Sequence, residues 1–315
     1  MRSHHLRVGA STSPFSFDDA AYSNFFTSNA QPINVSNSSS DKATFSNQNT
    51  SGHSYITYGS AFLDHDADEI VINYGLNGRP SYFTWNNGGN TYTGNANFYA
   101  LNSGATEFAG TANANPLIIG ANQTGDITVA YLQDNTPVYV VGHASDEHLY
   151  FFYYSNKNYI GKLKLSSSNS GMATNSMAYG VCFSGTHIIV YDLINRYYLW
   201  GYDLPANTSA INGGTINHSL RWASPSATSS GRFGGNYGMV YGGGNRVYIT
   251  GGTDSLHITQ YLLSDNGNNG TSSVVSVYTA NRGTSGNSTP YNVAMDYKNR
   301  TLLVGGSKFY NVFEE

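Results

Sequence analysis

A short apolar segment that ends in glycine or aspartate occurs five times along the chain. The copies are EIVINYG ending at Gly75, PVYVVG at Gly142, HIIVYD at Asp192, RVYITG at Gly251 and TLLVG at Gly305. β-Branched and aromatic residues dominate each copy, which favours strands over helices. A period near 50 residues with several strands per unit is typical of folds that place one small sheet in each repeat.

Further apolar segments accompany each copy. One precedes it (SYITYGSAF, DITVAYL, MAYGVCF, NYGMVY, YNVAMDY) and one follows it (SYFTW, HLYFFYY, YYLWGYDL, LHITQYLL, KFYNVF). The first four repeats continue with a fourth segment: NFYALN, YIGKLKLS, HSLRWA and SVVSVYT. Four antiparallel strands per unit form one blade of a β-propeller, so we predict a blade for each repeat.

The fifth repeat ends at Glu315 without a fourth segment, which would leave the edge of its blade open. The segment KATFS at residues 42–46 precedes the first repeat in the same way that a fourth strand precedes each later one. We therefore predict an all-β, five-bladed propeller over residues 42–315, closed by this strand near the N-terminus. Residues 1–41 contain five aromatic residues and are predicted to form a separate N-terminal arm that packs on a partner.

The run Gly242-Gly243-Gly244 could be read as a phosphate-binding loop. Such a loop requires a helix N-terminus after it, because the helix amides and dipole hold the anion. The following residues, Arg246 to Thr250, are β-branched and aromatic instead. We interpret the run as a turn between two strands, where glycine permits positive φ.

Composition excludes several classes of partner. Only 11% of residues are charged, against roughly 25% in an average protein, and the net charge is −4. The 15 Lys and Arg residues are scattered, so we expect no nucleic-acid partner. No apolar run approaches the roughly 20 residues of a membrane helix, so we expect no membrane insertion. The N-terminus has no apolar signal core, and the lone Cys182 is expected to be a buried thiol rather than half of a disulfide.

The densest acidic feature lies between the first two strands of the first repeat. Asp64, Asp66 and Asp68 alternate there with other residues, and carboxylates in such a loop can bind Ca²⁺. A solvated turn is the alternative. His143 and His148 flank another turn and could in principle bind zinc, although strands of opposed direction need not bring them together.

An enzymatic function is weighed against a recognition function. Glycoside hydrolases with five blades need two facing carboxylates in the central pocket. Here the first strands carry only Asp126 and Asp296, at or near their ends, so we assign no catalytic residue and expect a non-enzymatic protein. A carbohydrate-active enzyme remains the alternative.

Recognition is favoured by the abundance of Tyr, Asn, Ser and Gly, which supply rigid aromatic contacts and adaptable hydrogen bonds with little charge. Such surfaces suit neutral sugars. The candidate ligand-binding residues in predicted loops are Trp85, Tyr92, Trp222, Asn236 and Tyr237.

The segments NRVYITGGTDSLHITQY and NRTLLVGGSKFYNVF resemble kelch-type and YVTN-type β-propeller repeats, in which an apolar strand ends in a glycine turn. The whole chain resembles phage tail-fibre and adhesion modules of virions. The resemblance implies a structural or adhesive protein, located in a virion or extracellularly. Its implied partners are other subunits of a virion or filament, reached through the arm, and a host cell-surface glycan.

Overall fold

The computed structural model describes the strands and the turns between several of them. The described residues are 43–44, 59–64, 69–73, 80–84, 99–100, 106–107, 124–143, 147–166, 178–192, 198–224, 238–250, 257–264, 270–279, 292–296, 301–305 and 308–314. Strands dominate these ranges, the one helical element there is a 3₁₀ turn at Thr208–Ala210, and none of them holds a helix able to cross a membrane. The all-β prediction is confirmed.

The N-terminal part of the chain contributes short strands to a nine-stranded sheet. These are β1 (Ala43–Thr44), β2 (Gly59–Asp64), β3 (Glu69–Asn73), β4 (Pro80–Thr84), β5 (Tyr99–Ala100) and β6 (Thr106–Glu107). β2, β3, β4 and β6 are successive antiparallel neighbours.

The middle of the chain forms two further sheets. The second repeat contains β7 (Thr124–Tyr131), β8 (Pro137–His143), β9 (His148–Tyr153) and β10 (Tyr159–Leu165), in which neighbours along the chain pair antiparallel. The third contains β11 (Ala178–Phe183), β12 (Ile188–Asp192), β13 (Tyr198–Tyr202), the short β14 (Thr215–Ile216) and β15 (His218–Ala223). β11, β12, β13 and β15 pair antiparallel in that order.

The C-terminal part completes the strand set. The fourth repeat contains β16 (Met239–Gly243), β17 (Arg246–Thr250), β18 (His257–Leu263) and β19 (Gly270–Thr279), again antiparallel in chain order. The fifth contains β20 (Asn292–Asp296), β21 (Thr301–Gly305) and β22 (Lys308–Glu314). β1 pairs antiparallel with β22, so the two ends of the chain meet in one sheet.

Three short parallel bridges connect the outer strands of neighbouring repeats. β14 pairs with β10, the first residues of β19 pair with β15, and β5 pairs with β1. β14 and β5 lie ahead of the outermost strands of their repeats, β15 and β6, whereas the bridge of the fourth repeat is made by the first two residues of β19 itself. This corrects the first repeat: within NFYALN, Tyr99 and Ala100 form the bridge to β1, whereas Thr106–Glu107 pairs with β4.

Both faces of the inner strands are buried, which explains their continuous apolar sequence. In β8, Val138 and Val140 join the core shared with the third repeat, while Tyr139 and Val141 join a core that also contains Val71 of β3. A third core fills the space between the third and fourth repeats. The described cores therefore lie between repeats, and the strands of the second repeat separate two of these cores.

The first strands of the repeats contact one another. β7 contacts β2 and β11, β11 contacts β16, and β16 contacts β20. β20 in turn pairs with β2 in parallel, from Gly59 opposite Asn292 to Phe62 opposite Met295.

Asp126 connects three of these first strands. Its side chain is fully buried, and one carboxylate oxygen accepts hydrogen bonds from the backbone N–H groups of Val181 (3.2 Å) on β11 and Met239 (2.8 Å) on β16. The other oxygen accepts from the backbone of Ile127 at 3.0 Å. Buried Cys182 lies next to Val181, and burial, reinforced by the Asp126 charge, raises the pKa of its thiol.

The Gly242–Gly244 prediction is confirmed. β16 and β17 form a hairpin, and Gly243, Gly244 and Asn245 all have positive φ. Gly242 is required for a different reason: a Cβ there would lie 2.3 Å from the ring of Tyr248.

Replacing Asp126 tests the connection between the first strands. In Asp126→Asn the amide nitrogen brings a donor to a site where three backbone N–H groups already donate. We expect a loss of about 3 kcal/mol in the free energy of unfolding, measured by urea denaturation. The matched control is Asp134→Asn at an exposed turn, where a change within about 0.5 kcal/mol is expected. Equal effects of the two substitutions would contradict the role of Asp126.

Candidate functional site

The segment between β13 and β15 crosses onto the neighbouring repeat; we call residues 203–217 the strap. The backbone N–H groups of Gln133 and Asp134 donate to the carbonyls of Pro205 and Ala206 at 3.0 and 3.1 Å. Further along, Lys164 and Ser166 donate to the carbonyls of Gly214 and Ile216 at 2.8 and 2.9 Å. The strap is thus bonded to the second repeat at both ends.

Local sequence explains the shape of the strap. The Asn207 side chain caps the 3₁₀ turn by accepting from the backbone N–H of Ala210 at 3.2 Å. Ile211 and Ile216 insert into the core between the second and third repeats. Gly161 of β10 allows the approach, because a Cβ there would lie 2.4 Å from the carbonyl oxygen of Ile211.

A groove of about 250 Å³ lies along the strap. It is lined by Leu163, Asp203, Leu204, Pro205, Ala210, Asn212, Gly214, Thr215, Ile216 and Asn217. Among the described residues, no hydrogen bond reaches the side chains of Thr215 and Asn217, and the Asn212 amide uses only its oxygen, which accepts from Gly214. The groove therefore combines apolar side chains with uncommitted amide and hydroxyl groups.

A Ser–His–Asp cluster lies at the base of the strap. The Ser219 hydroxyl donates to Asp203 Oδ1 at 2.5 Å and lies 3.1 Å from His187 Nε2. His187 Nδ1 is 3.0 Å from the Thr186 hydroxyl. In a hydrolase triad the histidine stands between the acid and the serine and takes the serine proton. Here the serine proton points to Asp203, so the geometry is that of a structural network.

A second histidine, His218, lies between the end of the strap and Ser219. His218 Nδ1 is 3.1 Å from the hydroxyl of buried Ser166, and its ring packs edge-on against Trp200 at 4.7 Å and Tyr202 at 5.8 Å. The Arg221 guanidinium lies 4.8 Å from the ring centre of Tyr198, on the same strand pair. The strap therefore begins and ends beside a cluster of packed aromatic rings.

Both histidines have pKa values below their ordinary range. Burial lowers the pKa of His187, and the Asp203 carboxylate offsets part of that shift. Burial also lowers the pKa of His218, with a further decrease from the Arg221 charge and a partial offset from Asp203. Both rings are therefore neutral at neutral pH.

The predicted site residues fall in different places. Trp222 is buried between the third and fourth repeats, only 5% exposed, and its indole N–H donates to the Ser264 carbonyl at 2.9 Å. Trp85, Tyr92, Asn236 and Tyr237 lie outside the described residues, so their ligand-binding role stays a prediction.

The calcium hypothesis stays a prediction as well. Asp64 ends β2 opposite Glu69 in the pairing with β3, while Asp66 and Asp68 lie outside the described residues. In the part of the chain that the structure describes, no group of three His, Cys, Asp or Glu side chains is placed to hold a metal ion.

Sequence reasoning missed the strap and the role of Asp126. The signal for the strap was length, because 15 residues separate β13 from β15 whereas a tight turn of five separates β9 from β10. Asp126 was considered only as an acid at or near the end of a first strand, and no role was assigned to it.

The comparisons with known proteins come from structure alone. No protein-family model and none of the curated proteins matches the chain. Among solved structures, the chain is similar to the β-propeller domain of Cps50 (Swd1) from Myceliophteria thermophila, with 8% identity over 79% of this chain and 67% of that one and a TM-score of 0.37. A chain of the Mitotic Checkpoint Complex gives 9% identity over 84% and 76%, with a TM-score of 0.43. Hsv2 of Kluyvelomyces marxianus gives 10% identity over 71% and 72%, with a TM-score of 0.35.

Substitution of Gly161 tests the seating of the strap. In Gly161→Ala the new methyl group would displace the Ile211 carbonyl, which we expect to cost about 1–3 kcal/mol of unfolding free energy and to expose the strap to limited proteolysis. Gly214→Ala is the matched control, since its Cβ would meet only the Asn212 side chain at 3.3 Å. Strap cleavage at the same rate in both variants would contradict this packing.

The two histidines predict a dependence of stability on pH. Their folded pKa values lie below the ordinary 6.5, so the unfolded chain binds more protons in that interval. The contribution of these histidines to the free energy of unfolding is fully present above their ordinary pKa of 6.5. It is lost as the pH falls through their pKa values in the folded protein. Urea denaturation between about pH 7.5 and 5 measures this, and the decrease should be smaller in a His187→Gln, His218→Gln double variant. An unchanged slope in the variant would rule out these histidines as its source.

Proposed function

We propose that the protein is a five-bladed β-propeller with four strands per blade, closed where β1 joins β22. The mutual contacts of β2, β7, β11, β16 and β20 support a ring of first strands. The three parallel bridges support a perimeter that links blades to one another. In this arrangement β1 is the outer strand of the fifth blade.

We further propose that this propeller is a rigid, non-enzymatic recognition platform in a virion or on a surface, with residues 1–41 anchoring it to other subunits. The observation that carries the proposal is the strap, which is bonded to the second repeat at both ends and so presents a preformed polar groove. Preformed sites bind with a smaller loss of conformational entropy. A neutral host glycan suits amide and hydroxyl groups at low charge.

The acidic side chains support recognition over glycoside hydrolysis. Asp126 accepts three backbone hydrogen bonds and is fully buried, which suits it to holding strands together. Asp203 accepts from Ser219 and is half exposed. A glycosidase needs one of its carboxylic acids protonated near neutral pH and facing a second carboxylate.

Three experiments test this function. A glycan array should show saturable binding, and oligosaccharides incubated with the protein should be recovered intact. Deleting residues 1–41 should leave the unfolding transition and glycan binding in place while abolishing incorporation into the assembly. Turnover of an oligosaccharide, or an array without binding, would overturn the platform proposal.

A further inference from the structure

The groove along the strap has the chemistry of a site for a single sugar residue. Four groups line it with hydrogen-bonding capacity to spare: the Asn217 amide, the Thr215 hydroxyl, the Asn212 amide nitrogen and Asp203 Oδ2. Together they supply both donors and acceptors. Adjacent hydroxyls of a sugar ring each donate and accept, so they match such a mixed set.

Apolar side chains complete the groove. Leu204, Pro205 and Ile216 line it beside the polar groups, and Ile216 and Pro205 are themselves buried. A sugar ring has an apolar C–H face as well as hydroxyls at its rim, so it can use both kinds of surface. At about 250 Å³ the groove is smaller than the roughly 300–1,000 Å³ of sites for larger ligands. This size fits one terminal residue of a glycan rather than an extended chain.

The lining of the groove contains one charged side chain, the Asp203 carboxylate. His187 Nε2 lies 3.7 Å from that carboxylate. Burial lowers the pKa of that histidine, so at neutral pH it does not balance the negative charge. The carboxylate of an acidic sugar would be repelled by Asp203, whereas a hydroxyl of a neutral sugar can donate a hydrogen bond to it.

We propose that the groove formed by the strap binds one terminal neutral sugar residue, held by Asn212, Thr215, Asn217 and Asp203. This inference rests on the proposed glycan recognition and gives it a location and a ligand class. Asn217 and Thr215 are the positions to test, because neither side chain makes a hydrogen bond within the described structure.

The experiment uses the full chain and the methyl glycosides of glucose, galactose, mannose and N-acetylglucosamine, observed by saturation-transfer difference NMR and titration. At least one should bind, and the Asn217→Ala, Thr215→Val double variant should bind it about tenfold more weakly. Asn158→Ala, at an exposed turn of the second repeat, is the matched control and should bind as the wild type does. Methyl glucuronide should bind more weakly than methyl glucoside.

The outcomes separate this inference from the proposed function. Glycan binding on the array that the double variant retains in full would overturn the groove as the site and leave the platform intact. An array without binding overturns glycan recognition itself. If the double variant does not fold, backbone amide shifts of Gly213 and Gly214 in the titrated wild type replace it. Shifts confined to residues away from the strap would overturn the inference.

Discussion

The arrangement of the inner strands depends on one buried carboxylate. Asp126 lies on the first strand of the second repeat and accepts hydrogen bonds from the first strands of the third and fourth. β11 and β16 are the edge strands of their eight-stranded sheet, and a buried backbone amide left without a partner costs about 1–3 kcal/mol. A single acceptor shared by an amide of each strand therefore fixes the spacing of three first strands. Because backbone hydrogen bonds occupy both oxygens of the Asp126 carboxylate, this side chain is unsuited to proton transfer.

The outer edges of the sheets face the opposite problem, since an open strand edge can pair with another chain. Here the edges of β10, β15 and β1 are each covered for two residues by a parallel pairing, with β14, β19 and β5 respectively. The strap, residues 203–217, is the connection that carries the bridge to β10. It covers an edge and, because it must span two sheets, it also creates the groove. The same segment therefore covers a strand edge and forms the candidate binding groove.

The base of the strap shows how similar residues can serve structure or chemistry. Ser219, His187 and Asp203 are the residue types of a hydrolase triad, but hydrogen-bond order decides their role. The serine donates to the carboxylate, and the histidine, neutral because it is partly buried, stands to one side. The cluster holds the Asp203 side chain in one orientation beside the groove. Its histidine makes the stability of this region depend on pH.

The sequence by itself determined the all-β class, the positions of most strands and the turn at Gly242–Gly244, because β-branched and aromatic strand composition and glycine conformation are local properties that leave a local pattern. It could not determine that Tyr99–Ala100 bridges to β1 while Thr106–Glu107 pairs with β4, since pairing depends on which edges lie close in space. Trp222 looked like a loop residue and lies in a core. Asp126, to which the sequence assigned no role, joins three first strands. The groove required the tertiary structure, because the position of residues 203–217 depends on hydrogen bonds to another repeat as well as on their local turn.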